Sequence, residues 1–298
     1  MNIRKILCIG LFAAVLTAAQ AKNALVIIVH GSPSPQWNDL AMNIETNVRN
    51  TLASKHITDF DYVKVAMMEF AKPNISTVIK DCEKRGTTHI FAIPLFIAPS
   101  SHSEEDIPNI LGLKYNPQVI KRLKAEGTQI VHSSIPITVG PTLSYDNVIS
   151  DIIADRVKSL SNNSANETFI LAAHGDPEYQ AYWNSLMKKT GKEVAESTGI
   201  KFSGFVFMEM GQHFFKDLYP MLQTTSKDYK HIIVQGIYLS EGIKRMAEYA
   251  QKNDSNSEKH ILSEGVKVDY SPYGLLPDAK NSIADWIVAR AEEWAKLK

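Results

Sequence analysis

The sequence predicts an α/β protein of two similar lobes, each a parallel sheet flanked by helices, with a cleft between the lobes. Three observations lead there. Apolar runs of strand length alternate with helical stretches, the pattern of βαβ units. The order of landmarks repeats at an offset of about 140 residues. The length of 298 residues, at ~100–200 residues per domain, has room for two such units.

The first 21 residues stand apart. Arg4 and Lys5 precede an apolar run from Ile6 to Thr17, and Ala19-Gln20-Ala21 is an A-x-A cleavage pattern. A secretory signal over 1–21 is expected, with Lys22 starting the mature chain and a periplasmic or secreted location. The run is too short for a membrane span, which needs about 20 apolar residues, so no stable membrane insertion is expected. The lobes are then assigned to 22–160 and 161–298.

Within the first lobe, Ala24–Val29 is a continuous apolar run that reads as a strand buried on both faces and ends at His30-Gly31. A helix is expected over Asp39–Leu52, a strand over Tyr62–Met68, a helix over Asn74–Lys84 and a strand over His89–Ile97. Pro117 precedes a short charged helix at Gln118–Glu126. A strand at Gln129–Ile137 and a helix at Tyr145–Leu160 complete the unit.

Ser161–Glu167 is a polar linker by composition. Phe169–Gly175 then restates Val26–Gly31, with a proline two residues after each His-Gly. Met67–Phe70 is matched by Phe207–Met210, His89–Ile97 by His231–Leu239, and Gly140 with the helix ending in Asp155-Arg156 by Gly274 with the helix ending in Ala289-Arg290. The offsets are 144, 140, 142 and 134. Repeats this long are duplicated lobes rather than solenoid units.

Charge excludes some functions. Lysine plus arginine and aspartate plus glutamate each total 32. Loss of Arg4 and Lys5 leaves 30 against 32, a net charge of −2. No nucleic-acid partner is expected from that balance. Cleavage removes Cys8 and leaves Cys82 alone, so a disulfide cannot form within the mature chain. Cys82 reads as a half-buried helix thiol. No C-x-x-C pair suggests a structural zinc site. A hydrolase is disfavoured, since Val29 and Ala173 precede the His-Gly pairs and neither a G-x-S-x-G elbow nor a phosphate loop occurs.

Polar groups at the C-terminal ends of parallel strands line the usual ligand crevice of an open sheet. His30 ends the first strand, Glu69 the second, and His102 lies in the loop after the third. Two imidazoles and a carboxylate there suit a borderline divalent metal, or acid–base work. Each residue also has a plainer reading: a turn histidine, a helix-cap partner, a solvated loop histidine. Ser103 with Glu105 and Asp106 resembles a helix start.

Val29-His30-Gly31-Ser32, Met68–Pro73 and Ile93–Ala98 leading to His102 and Asp106-Ile107-Pro108 together resemble the small cobaltochelatase family, whose members insert a metal into sirohydrochlorin and group with the ferrochelatase-like class II chelatases. The likeness is good from about Leu25 to Pro108 and looser in the second lobe. It implies that His30 and His102 hold the metal and accept pyrrole protons, with Glu69 as the acidic residue beside them. It also implies a divalent ion as bound substrate, Co2+ first with Fe2+ or Ni2+ as alternatives, no organic cofactor, and a tetrapyrrole as the small-molecule partner. Self-association stays open. The second lobe keeps His174 and Glu209 but has Glu241-Gly242-Ile243-Lys244 in place of the loop histidine, so the working site is expected in the first lobe. His213 and Tyr238 are weaker candidates for the facing wall, and Lys72, Lys114, Lys121 and Arg122 could meet a polycarboxylate ring. A non-enzymatic metal or haem-like tetrapyrrole carrier is the rival reading.

Overall fold

The computed structural model of the chain describes residues 22–240, 242–254 and 262–298; the expected signal segment lies outside them, as does Glu241. β1 (Asn23–Val29) is buried from Ala24 onward. Its side chains alternate between two cores, as a pleated strand requires. Leu25, Ile27 and Val29 meet Ala41, Ile44 and Val48 of α1 (Pro35–Ser54). Ala24, Val26 and Ile28 meet Val78, Ile79 and Cys82 of α2 (Ile75–Arg85). Asn74 caps α2, its side chain accepting from the Thr77 N–H at 2.9 Å. Helices on both faces explain why β1 reads as an unbroken apolar run.

β2 (Phe60–Met67), β3 (His89–Pro94) and β4 (Ile137–Val139) complete a parallel sheet in the order β2-β1-β3-β4. Between β3 and β4 come a π-helical turn at His102–Asp106, α3 (Ile107–Ile110) and α4 (Pro117–Ala125). After α5 (Val148–Leu160), the second half repeats the topology. β5 (Glu167–Ala173), β6 (Lys201–Phe207), β7 (His231–Ile237) and β8 (Lys267–Tyr270) form a parallel sheet ordered β6-β5-β7-β8. α6 (Gln180–Thr198), α7 (Tyr219–Thr225), α8 (Ile243–Lys252) and α9 (Ser282–Lys296) accompany it.

Backbone hydrogen bonds make the duplication concrete. The Met68 and Glu69 N–H groups donate to Val29 and His30 O, and the Met208 and Glu209 N–H groups to Ala173 and His174 O. The last landmark pair needs correction. Gly140 N–H donates to Ala92 O, whereas Ser271 N–H donates to Val234 O, so Ser271 rather than Gly274 is the counterpart of Gly140. The helix holding Arg156 ends at Leu160 as expected, and the one holding Arg290 runs on to Lys296.

Two other expectations fail locally. Residues 129–136 are not a strand. Pro136 has no N–H to pair, and Ile130, Val131 and Ile135 pack sideways on the core between the first sheet and α2. The stretch at 161–167 is less a linker than a clasp. Glu167 is buried at the start of β5 and accepts from the Ser161 hydroxyl, the Asn162 and Asn163 N–H groups, and His231. Burial alone would raise its carboxyl, yet those hydrogen bonds hold it down at about 2.

The terminal helix of each half crosses to the other. α5 packs on α6 and β7 of the second sheet, and α9 on α1 and β3 of the first. Trp294 of α9 stacks on Phe91 at 5.3 Å and Phe60 at 5.9 Å between ring centroids. Arg156 of α5 lies 5.1 Å over the Tyr273 ring, and Arg290 of α9 lies 5.4 Å over Tyr145. One apolar core therefore runs through both halves. Among the described residues no helix is long and apolar enough to cross a membrane.

Candidate metal centre

β1 lies between β2 and β3, so the chain leaves its C-terminal end at the switch point where ligands of open α/β sheets bind. His30 follows β1 directly. Gly31 adopts φ +89°, and a Cβ there would fall 2.1 Å from Glu69 O. Only glycine lets the β1 loop approach the Glu69 backbone this closely. Glu69 N–H donates to His30 O at 2.8 Å, which fixes the acid beside the histidine. Phe70 follows with φ 58°, a costly conformation for a bulky residue. His102 arrives from β3 and opens the π-helical turn.

The three residues expected at the site come together. One ligand atom each from His30, Glu69 and His102 all lie within 4.8 Å of one another, and the two imidazole centroids are 4.8 Å apart at 72°. His30 Nδ1 is 2.8 Å from Gly31 O. A carbonyl only accepts, so Nδ1 carries the proton and Nε2 keeps its lone pair. His102 Nδ1 is 2.7 Å from Asp106 Oδ2, and donation to that carboxylate likewise leaves Nε2 to ligate. Asp106 is fully buried and ion-paired with Arg122, which also pairs with Glu126 at 3.2 Å. His102 is thus neither a solvated loop residue nor merely near a helix start. The one signal for its partner in the sequence was the i,i+4 spacing to Asp106.

Around the imidazoles the walls are apolar. Phe70, 65% exposed, stacks on His30 at 5.9 Å, and Phe96 lies 6.2 Å from His102. The site opens into a cleft of about 770 Å³ lined by both lobes, with His30, Phe70, His102 and Arg122 on one side and His174, Met210 and Tyr238 on the other. Of the four basic residues considered, Arg122 lines this cleft. Lys114 pairs with Glu105, and Lys72 faces a separate hollow behind Glu69.

The second lobe builds no equal centre. Among the described residues the single three-membered group of candidate ligands is the one in the first lobe. His174 repeats the His30 geometry, with Nδ1 2.8 Å from Gly175 O, but Glu209 is exposed. Tyr238 spends its hydroxyl on Glu209 O at 2.7 Å. His213 pairs with Asp217 at 3.4 Å and does not line the cleft. A role of the second lobe that the repeat pattern did not reveal is to hold the His102 loop. Asp176 accepts from the Ser101 N–H at 3.1 Å and hydroxyl at 3.2 Å, and Trp183 Nε1 donates to Pro99 O at 3.1 Å. Asp176 stands where the first lobe has Ser32, a one-residue departure visible in the sequence but silent about its partner.

The family model described as CbiX matches residues 24–160. A sirohydrochlorin cobaltochelatase of Methanococcoides burtonii is 31% identical over 137 residues, 45% of this chain and 94% of the relative. Another, of Saccharolobus solfataricus, is 26% identical over 140 residues, 47% of this chain and 97% of the relative. Each such relative therefore corresponds to about half of this chain. The fold as a whole resembles the sirohydrochlorin chelatase SirB of Bacillus subtilis. The complex with cobalt, from subspecies spizizenii, has a TM-score of 0.57 and the form with Fe3+ one of 0.61; each is 16% identical and covers 92% of this chain and 96% of that one. With its His-Gly turn, its acid after β2 and its histidine before Asp-Ile-Pro in one place, and a relative spanned almost end to end, the chain belongs to the CbiX family.

Proposed function

We propose that this protein is a metal chelatase that inserts a divalent ion, cobalt foremost, into a tetrapyrrole of the sirohydrochlorin class. The observation that carries the reading is the convergence of His30, Glu69 and His102, of which the two histidines line an interlobe cleft. Two imidazole nitrogens and one carboxylate oxygen make an incomplete coordination sphere for the metal substrate. Positions stay open for ring nitrogens, where a closed four-ligand site would retain the ion. The cleft volume falls within the ~300–1,000 Å³ usual for small-molecule pockets. Phe70 and Met210 offer apolar flanks to a flat macrocycle, and Arg122 offers one carboxylate a cationic partner. The nitrogen-rich donor set accepts Co2+, Fe2+ and Ni2+ alike; preference for cobalt rests on the relatives' names.

Single-turnover insertion, followed through the tetrapyrrole absorption band with Co2+ and sirohydrochlorin, tests this. Wild type should be faster by orders of magnitude than the His30→Ala/His102→Ala double variant. Equal rates sink the enzyme and leave a carrier, which would bind the ring without metallating it. We also propose export, on the A-x-A pattern after an apolar run. A mature chain beginning at Lys22, read by N-terminal sequencing, supports it, and an intact Met1 in the native host opposes it.

A further inference from the structure

Insertion releases two ring N–H protons, and the loaded metal site has no vacant imidazole to take them. His30 and His102 already commit Nδ1–H to Gly31 O and Asp106. A metal ion on each Nε2 uses the remaining lone pair. Most other carboxylates at the cleft are engaged or buried: Asp106 is buried against Arg122, Glu105 pairs with Lys114 through Oε1 while its Oε2 is buried, and Asp176 accepts from Ser101 and from the Glu178 and Tyr179 N–H groups at the start of α6. The exposed Glu178 carboxylate also lines the cleft and is addressed by the test below.

Across the cleft stands a histidine with its lone pair free. His174 ends β5 as His30 ends β1, is exposed, and lines the same cleft outside the three-ligand group. Its Nδ1 faces a carbonyl, so Nε2 is the acceptor. We propose that His174 is a catalytic residue, the base that accepts the ring protons on the face of the macrocycle opposite the metal. This inference rests on the chelatase reading.

The step balances simply. A ring N–H bond breaks, its electron pair stays on nitrogen and is donated to the metal, and the proton moves to His174 Nε2. The imidazolium keeps its Nδ1–H on Gly175 O and returns the new proton to water. The second N–H follows the same route. A divalent ion and a neutral ring core thus become a neutral metallated core and two protons in solvent. Base and metal on separate lobes also keep the incoming cation from competing for the base.

His174→Gln is the test, with Co2+ binding read from the d–d absorption of the loaded protein. The Co2+ dissociation constant and band shape should stay within about threefold of wild type. The single-turnover rate should fall by about 100-fold or more, the usual share of a general base. Added imidazole should restore part of the rate in His174→Gly, while Glu178→Gln, which removes the other exposed acid on that wall, should stay near wild type. Insertion by His174→Gln within threefold of wild type overturns the proposal. So does loss of Co2+ binding as deep as in His30→Ala, which would make His174 a ligand. A wild type that inserts nothing overturns the chelatase reading itself, so the two failures are distinct.

Discussion

At the scale of single residues, the centre depends on groups that stand behind its candidate ligands. Asp106 fixes the tautomer of His102 and is itself fixed by Arg122. Outer partners of this kind are worth about 10–100-fold in metal affinity, so Asp106→Asn should weaken Co2+ binding by that amount in a direct titration while the far-UV dichroism is unchanged. Phe70 holds φ 58° with its ring largely exposed on His30. A residue strained in this way costs about 1–3 kcal/mol. Phe70→Gly should therefore leave stability level or raise it by up to about 1 kcal/mol in urea melts, yet weaken tetrapyrrole binding; a clear loss of stability would show that the ring serves the fold. The site trio was legible because strand ends are readable from apolar runs. Asp106 was not, because its acid also suits a helix start, and burial is a property of the packed loop.

At the scale of elements, continuous apolar runs revealed β1, β3, β5 and β7, which are covered on both faces. The segment 129–136 looked similar and forms no strand: Val131 N–H donates to Ile110 O, the Ser133 hydroxyl accepts from the Ile135 N–H at 3.2 Å, and Pro136 joins β3 only through its carbonyl, which accepts from the Ile90 N–H. Composition likewise made a linker of what Glu167 turns into a clasp. Its carboxyl is held at about 2 in the folded chain, against about 4.3 unfolded. A depressed folded value stabilises above the unfolded one and is lost as pH falls toward the folded one. Glu167→Gln should accordingly flatten the decline in stability between about pH 4.5 and 2, measured by thermal melts across that window; an unchanged decline would show that other carboxylates govern it. Cys82, the one cysteine among the described residues, gives a quieter case. Burial and the neighbouring Asp81 charge push Cys82 up to about 11, which makes it a core atom rather than a nucleophile.

At the scale of the whole molecule, the duplication was readable but the crossing of its helices was not. An amphipathic helix shows the same apolar stripe whichever sheet it covers, so the partners of α5 and α9 are decided only on assembly. Each half lends its terminal helix to the other, and neither is complete alone. The fragment 22–160 should thus form no stable monomer: with Trp294 gone, Phe60 and Phe91 are uncovered, while the buried face of α5 has lost β7. Sedimentation should find self-paired or aggregated material, and a folded monodisperse monomer would contradict it. The crossed helices also make the peptide bond between the halves nearly redundant. Residues 162–166 are exposed, and what joins the two sheets is packing rather than that short strand of chain. A protein cleaved there would be two polypeptides and still one molecule, and the one backbone serves instead to keep two unlike halves in fixed proportion, free to diverge into two different walls of one cleft.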